Sequence, residues 1–154
     1  MNSAFDKAKE SLIIKSVNLR NSYIALNDDI EPFELKEKDT EIQSFRGVEK
    51  VKELSIQSEE EDYWEYNFFY AVGVRVIEEM DNENEVNLFL EIKACFNALY
   101  RANEKLDVEV IKAFSKQNVG YHVWPYWREF VQSSCTRLNV SPLEIPFYFC
   151  KQES

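Results

Sequence analysis

Glycine is scarce in this chain, and so are the signatures that depend on it. Three glycines, Gly47, Gly73 and Gly120, stand alone in 154 residues, and no GxGxxG, P-loop or GxSxG elbow occurs, so no loop is built to cradle a phosphate or present a nucleophile. One histidine, His122, leaves most general-base chemistry to carboxylates. Pairing it with Cys135 as a nucleophilic dyad would need hydrogen-bond contact, and a separation of thirteen residues places the two several helical turns apart. Cysteine is sparse, odd in number and scattered at Cys95, Cys135 and Cys150, without a CxxC. That suits reduced, buried thiols rather than a disulfide framework or a zinc site. No apolar run is long enough to span a membrane, and "MNSAFDKAKES" lacks the apolar core of a signal peptide. The expected compartment is the cytoplasm, with no membrane insertion, no metal, no cofactor and no catalytic residues.

Positive charge is also in short supply. Twenty-eight acidic side chains outnumber eighteen basic ones, a net charge of −10 that repels phosphate backbones and anionic lipids, so nucleic acid is not an expected partner. The acidic cluster Glu59, Glu60, Glu61, Asp62 and Glu65 lacks the glycine of a hard-cation loop and reads as a solvated approach to a strand. Against these absences stands a hydrophobic fraction of 45% with 14% aromatics, enough for a folded core. The chain reads as a single domain over 1–154, with flexible ends at 1–10 and 151–154.

Period-two patterning dominates the middle. In "DYWEYNFFYAVGVRVIEEM" the even positions Trp64, Tyr66, Phe68, Tyr70, Val72, Val74 and Val76 are all apolar or aromatic. In "EVNLFLEIKACFNALYR" Val86, Leu88, Leu90, Ile92, Ala94, Phe96, Ala98 and Tyr100 do the same. Joined by the polar turn "DNEN", these predict a long antiparallel hairpin with one face in the core. The other face mixes Glu65, Arg75 and Lys93 with Phe69, Ile77, Phe89 and Cys95, which leaves room for a partner there. Upstream, Leu12 to Leu26 predicts a strand with Ile13, Val17, Leu19, Tyr23 and Ala25 on one face. Val48 to Gln57 predicts a weaker one, with its parity broken near Val51 by a bulge. The segment Asn27 to Gly47 reads as a long acidic surface connection carrying two isolated aromatics, Phe33 and Phe45.

After Arg101 the period becomes helical. Val110, Ile111 and Phe114 predict one helix, ended by Asn118-Val119-Gly120. A second is expected to start at "HVWPYWREF", with Pro125 in its first turn and Trp127, Phe130, Val131, Cys135 and Leu138 as its apolar stripe; Asn139 and Pro142 close it. Strands first and helices last predict an α+β fold, a four-stranded antiparallel sheet with helices packed on one face. The large rigid aromatics Tyr121, Trp124, Tyr126 and Trp127 point in different directions on a helix, so they cannot all face one core.

The stretch "NVGYHVWPYWREFVQSSCTRLNVSPLEIPFYF" resembles the SecB export chaperones, through Asn118, Trp124, Pro125, Tyr126, Arg128, Glu129, Pro142, Leu143, Pro146 and Phe149. The resemblance is specific over about thirty residues and elsewhere is one of element order. It implies a four-stranded antiparallel sheet backed by two helices, assembly as a dimer of dimers, and ATP-independent holding of unfolded or partly folded clients in apolar grooves, with delivery to the SecA motor. Two departures stand out. Only "CKQES" follows Phe149, so the motor-binding tail is expected to be absent or truncated, and "CTRLNVSP" replaces a glycine-containing turn. The family also includes solitary and toxin–antitoxin-associated members, so the client could equally be a single antitoxin.

The expected function is that of a holdase, for which exposed apolar area binds clients while high net charge keeps the protein soluble. The alternatives are a dedicated chaperone of one partner, or an enzyme or small-molecule binder on the same fold. The expected client surface is Phe33, Phe45, Tyr121, Trp124, Tyr126 and Trp127, with Arg128 and Glu129 serving structure near the helix start.

Overall fold

The computed structural model of the chain describes residues 3–79 and 86–148; the expected "DNEN" turn, Phe149, Cys150 and 151–154 lie outside them. In chain order the elements are helix α1 (Ser3–Ser11), strand β1 (Ile13–Leu26), a 3-10 helix (Pro32–Glu37), β2 (Thr40–Gln57), β3 (Asp62–Glu78), β4 (Leu88–Ala102), α2 (Val108–Gln117) and α3 (Val119–Leu138). The strands form one antiparallel sheet in the order β1-β4-β3-β2. The architecture is α+β, with a four-stranded antiparallel sheet.

The central hairpin follows the alternation. Tyr66, Phe68, Tyr70, Val72, Val74 and Val76 of β3 stand opposite Tyr100, Ala98, Phe96, Ala94, Ile92 and Leu90 of β4, all buried on one face. Val86, assigned to the same inward row, precedes the strand and is exposed. Helices α2 and α3 close the inner face. Phe114 of α2 meets Phe68 and Tyr100 at ring distances of 5.6 and 4.8 Å. Phe130 of α3 meets Phe96 edge-on, and Trp127, Val131 and Cys135 complete the stripe in the core. The reverse face is open, yet Phe69, Ile77 and Cys95 are buried there; Phe89, expected on that face, falls at the register shift between Val76 and Ile77 and joins the core. Phe69 lies beneath the long stems of Arg20, Lys50 and Lys52, whose charged ends stand 5.6, 4.5 and 5.2 Å from its ring centre.

The edge strands depart from the predicted pattern. In β1, register shifts between Ile14 and Ser16 and between Leu19 and Asn21 flip the parity twice. Val17 and Leu19 therefore share the helix-side face with Ile24 and Leu26, while Ile13, Tyr23 and Ala25 turn to the open face; Ile13 and Tyr23 are exposed. The stretch expected as a connection is strand from Thr40 onward, so β2 is an 18-residue edge and Phe45 sits on it opposite Gly73. The bulge expected near Val51 falls between Val48 and Lys50.

At the chain start, α1 replaces the expected loose end. It packs against α2, with Ala8 fully buried. The acidic cluster is a turn into β3: the Glu61 N–H donates to Ser58 Oγ at 3.1 Å, and the Glu61 carboxylate pairs with Arg101. At the other end Asn118 and Gly120 do not separate two helices by a loop. α3 begins at Val119, one residue after α2, so Pro125 falls inside α3 rather than in its first turn. Proline there forfeits the bond to the Tyr121 carbonyl and crowds it, but Tyr121 is 63% exposed and water can solvate that oxygen. Asn139, at φ 59° and ψ 38°, ends α3 in the left-handed conformation, its N–H donating back to Thr136.

Trp127 is 1% exposed and spans the interface between α3 and the sheet. Trp127→Ala is expected to lower unfolding free energy by about 3–5 kcal/mol, read from the shift of the denaturant midpoint.

Candidate functional site

Beside the edge of the sheet, β2 and α2 diverge to leave an open groove of about 710 Å3. One wall is Arg46 to Val51 of β2, the other Val108, Ile111, Lys112, Ser115 and Lys116 of α2. Tyr70 of β3 and Tyr148 of the C-terminal segment complete it. The register directs Arg46, Val48 and Val51 toward the helices, because they stand opposite Val72, Tyr70 and Phe68. On α2 the buried stripe is Val110 and Phe114, which leaves Ile111 half-buried and Val108 65% exposed on the groove side. The bulge at Val48/Lys50 is what brings Val48 and Val51 to the same side despite their odd spacing.

Residues 140–148 run as a strap along α3 to the groove. Trp124 Nε1–H donates to the Pro146 carbonyl at 2.6 Å, and Arg128 Nε–H donates to the Ile145 carbonyl at 3.2 Å. The Arg128 guanidinium also lies 4.4 Å from the Phe147 ring centre. Tyr148 then stacks near Trp124, at 5.5 Å, and under the Arg46 guanidinium, at 4.6 Å. Gly120 makes room for this: a Cβ there would stand 2.6 Å from the Tyr148 ring and 2.7 Å from the Tyr70 hydroxyl. The residues of the quoted motif thus acquire distinct places. Trp124 and Arg128 grip the strap, Pro142, Leu143 and Pro146 belong to it, and Asn118 is the joint between α2 and α3, its carbonyl accepting from the His122 N–H at 3.3 Å. Pro125, Tyr126 and Glu129 lie exposed on α3.

The six aromatics expected to form one client surface do not converge. Phe33 projects from the 3-10 helix, 64% exposed, beside Val140 and Ser141. Phe45 is 51% exposed on the open sheet face, the side away from the helices. Tyr121 and Tyr126 are exposed on α3, while Trp124 is 9% exposed behind Tyr148. Trp127 is a core residue and presents no surface, the correction that burial imposes on that assignment. The groove residues missed were Val48, Val51, Val108 and Ile111. The available signal was a second apolar row on α2, Val108 and Ile111 at i, i+3, facing the parity break in β2.

His122 and Cys135 lie on one helix about 20 Å apart along its axis, at about 1.5 Å per residue. His122 instead meets Tyr100, whose hydroxyl is 2.7 Å from Nδ1. Burial pushes the Tyr100 phenol up, so it stays protonated and donates, and burial holds the His122 imidazole below its usual value, so neutral Nδ1 accepts. Among the described residues no His, Cys, Asp or Glu group is arranged to hold a metal, and no helix is long and apolar enough to cross a membrane.

The sheet order, the two packed helices and the strap define a SecB-like fold. Among solved structures, the chain superposes on the SecB-like chaperone Rv1957 of Mycobacterium tuberculosis, in complex with a ChAD peptide from the Rv1956 HigA1 antitoxin. The TM-score is 0.65 at 12% identity, covering 97% of this chain and 99% of that one. A protein of unknown function from Streptococcus agalactiae matches at TM-score 0.40 and 8% identity, over 88% of this chain and 97% of that one, a likeness too weak to define a fold. No protein-family model and no curated protein matches the sequence.

Two outcomes follow from these contacts. Trp124→Phe keeps the ring but removes the donor to Pro146, so residues 141–148 should exchange amide hydrogens and be cleaved by protease faster while the global midpoint moves by no more than about 1–1.5 kcal/mol. Because the folded-state pKa of His122 is depressed, the unfolded chain takes up the proton first. The contribution of this group is complete above about 6.5, the unfolded value, and declines as pH falls through the folded one. His122→Gln should flatten the fall in denaturant midpoint just below pH 6.5.

Proposed function

We propose that the chain is an ATP-independent chaperone that holds an extended polypeptide segment in the groove between β2 and α2. The observation that carries this reading is an open, apolar-walled groove on which, among the described residues, Val108 is exposed and Val48, Val51 and Ile111 are half-buried. Exposed apolar area with a net charge of −10 is the combination that lets a holdase bind greasy segments without precipitating. Support also comes from the fold shared with a chaperone whose structure holds a peptide. That same likeness favours a dedicated client, such as an antitoxin, over general export, and the proposed client class is accordingly one partner or a narrow set. SecA engagement remains the export variant of this proposal.

Two further elements belong to the reading. The β1 edge is unpaired on one side and exposes Ile13, Ile14, Leu19 and Tyr23, an edge that self-association would cover, consistent with a homo-oligomer such as a dimer of dimers. The proposed compartment is the cytoplasm, and no catalytic activity is assigned.

The test is light scattering from an antitoxin and from several unrelated denatured proteins diluted into buffer with the chaperone and without nucleotide. Suppression by the parent and its loss in Val108→Asp/Ile111→Asp, with circular dichroism unchanged, is the expected result. Equal suppression by parent and double variant would move the client site away from the groove. Suppression confined to one client identifies the dedicated form, and suppression across all of them the general one.

A further inference from the structure

The two edge strands bulge at the same level of the sheet. One row crosses the four strands at Leu19, Phe96, Tyr70 and Val48, and the extra residues beside it are Arg20 in β1 and Glu49 in β2. Bulges re-aim side chains, and here cations turn inward over the open face. Arg20 reaches from β1 across β4 to Phe69 of β3, its guanidinium 5.6 Å from the ring centre, while Lys50 and Lys52 come from the opposite edge to 4.5 and 5.2 Å. Three positive charges thus converge on one buried ring in a chain of net charge −10. All three residues are exposed, and none forms an ion pair with a described carboxylate. Glu49 is a carboxylate in their midst, for after burial its charge is the next influence pushing up the nearby Cys95 thiol, with Lys50 and Arg20 opposing it. Elsewhere on this face the cations are engaged, Arg75 by Gln43, Lys93 by Glu91 and Arg101 by Glu61.

The floor beside Phe69 is polar and incompletely bonded. Asn97, 9% exposed, is its cross-strand partner on β4, and Asn67 stands one row further along β3. The Asn97 amide nitrogen and the Asn67 amide oxygen are buried, each without a hydrogen-bond partner among the described residues. Unmatched buried polar atoms are costly, so a donor and an acceptor left side by side on an open face mark a place where another molecule supplies the partners. Two rows to either side of Phe69, exposed apolar residues stand at both edges: Tyr23 and Phe45 in the row of Gly73, Ile13 and Leu54 in the row of Glu65.

We infer that the open face of the sheet is a docking surface separate from the groove, on which Arg20, Lys50 and Lys52 hold the carboxylates of an extended acidic segment of a partner polypeptide. Charge complementarity selects the occupant. A short run of two or three carboxylates meets the cations alone, whereas a nucleic acid or an anionic membrane would overlap the repelling remainder of the surface. The asparagines select a peptide over a bare oxyanion: a carboxylate or backbone carbonyl accepts from Asn97, a backbone N–H donates to Asn67 Oδ1, and inorganic phosphate is chiefly an acceptor. Apolar side chains beyond the carboxylates then reach the exposed residues at the four corners. The groove lies on the helix side of β2, so the two surfaces can be occupied together.

The experiment is fluorescence anisotropy on the full chain with a short labelled peptide carrying Glu at three alternate positions between Val and Phe, beside its counterpart with Gln for Glu. The Glu peptide should bind roughly fivefold or more tighter, the difference closing in about 0.5 M salt. Arg20→Glu/Lys52→Glu, at exposed positions, should abolish the difference with circular dichroism unchanged, and Val108→Asp/Ile111→Asp should leave it intact. If the charge reversal disturbs the fold, the milder Lys50→Gln/Lys52→Gln should still reduce the difference at least roughly twofold. Equal binding of the two peptides by the parent, or a difference that survives these charge changes, overturns the proposal. Loss of binding in the groove variant alone would move the acidic segment to the groove. Displacement by millimolar phosphate beyond that of chloride at equal ionic strength would reassign the cations to a small oxyanion, and a fall in particle mass by light scattering in Arg20→Glu/Lys52→Glu would reassign the face to a second copy of the chain; each of these outcomes overturns the assigned occupant.

Discussion

The ring of Tyr100, fully buried in β4, meets Phe68 and Phe114 edge-on and gives its hydroxyl to His122. Four elements are thereby registered on one side chain: the two central strands, the last helix turns of α2 and the first turns of α3. Edge-on aromatic pairs contribute about 0.5–1.5 kcal/mol each beyond area burial, and a buried phenol without an acceptor would cost about 1–3 kcal/mol. The cluster therefore penalises any displacement of α2 or α3 along the sheet. Tyr66, whose hydroxyl accepts the Leu106 N–H at 2.8 Å and whose own pKa burial pushes up to about 12, anchors the lead-in to α2 in the same way.

The groove exists because this anchoring is one-sided. Val110 and Phe114 are buried and hold α2 to the central hairpin, whereas of its outer row Ile111 is half-buried and Val108 exposed toward β2. An edge strand of 18 residues, kinked by one bulge, cannot follow the helix along its whole length, and Val48, Val51, Val108 and Ile111 line the gap that results. Trp124 and Arg128 hold the Pro146 and Ile145 carbonyls, and the strap so fixed brings Tyr148 to the lining of this gap.

The central hairpin was legible residue by residue, since β3 and β4 are flanked on both sides and one face is continuously covered; under those conditions burial and alternation are the same thing. The edge strands were not, for a physical reason that Val17 and Tyr23 illustrate: a bulge moves a residue to the other face without altering composition, so two of them erase the period while the strand persists. Thr40 to Gly47 was hidden because an edge strand with solvent on one side needs few apolar residues. Helix α1 was hidden because it docks through alanines, whose burial leaves almost no pattern. The start of α3 was displaced by Pro125, a residue favoured in first turns but tolerated further in where the freed carbonyl is wet. The motif around Pro125 did mark the right region, yet it built the clamp on the C-terminal strap, whereas the groove was assembled from the two segments with the weakest signals, β2 and the outer row of α2.

The junction at Asn118 has a mechanical meaning. With a single residue between α2 and α3, and the Asn118 N–H and carbonyl both engaged, to Phe114 and His122, the two helices share one fixed corner beside Tyr100. The seat of α2 against the hairpin therefore also sets where α3 carries Trp124 and Arg128, and through them where the strap lies.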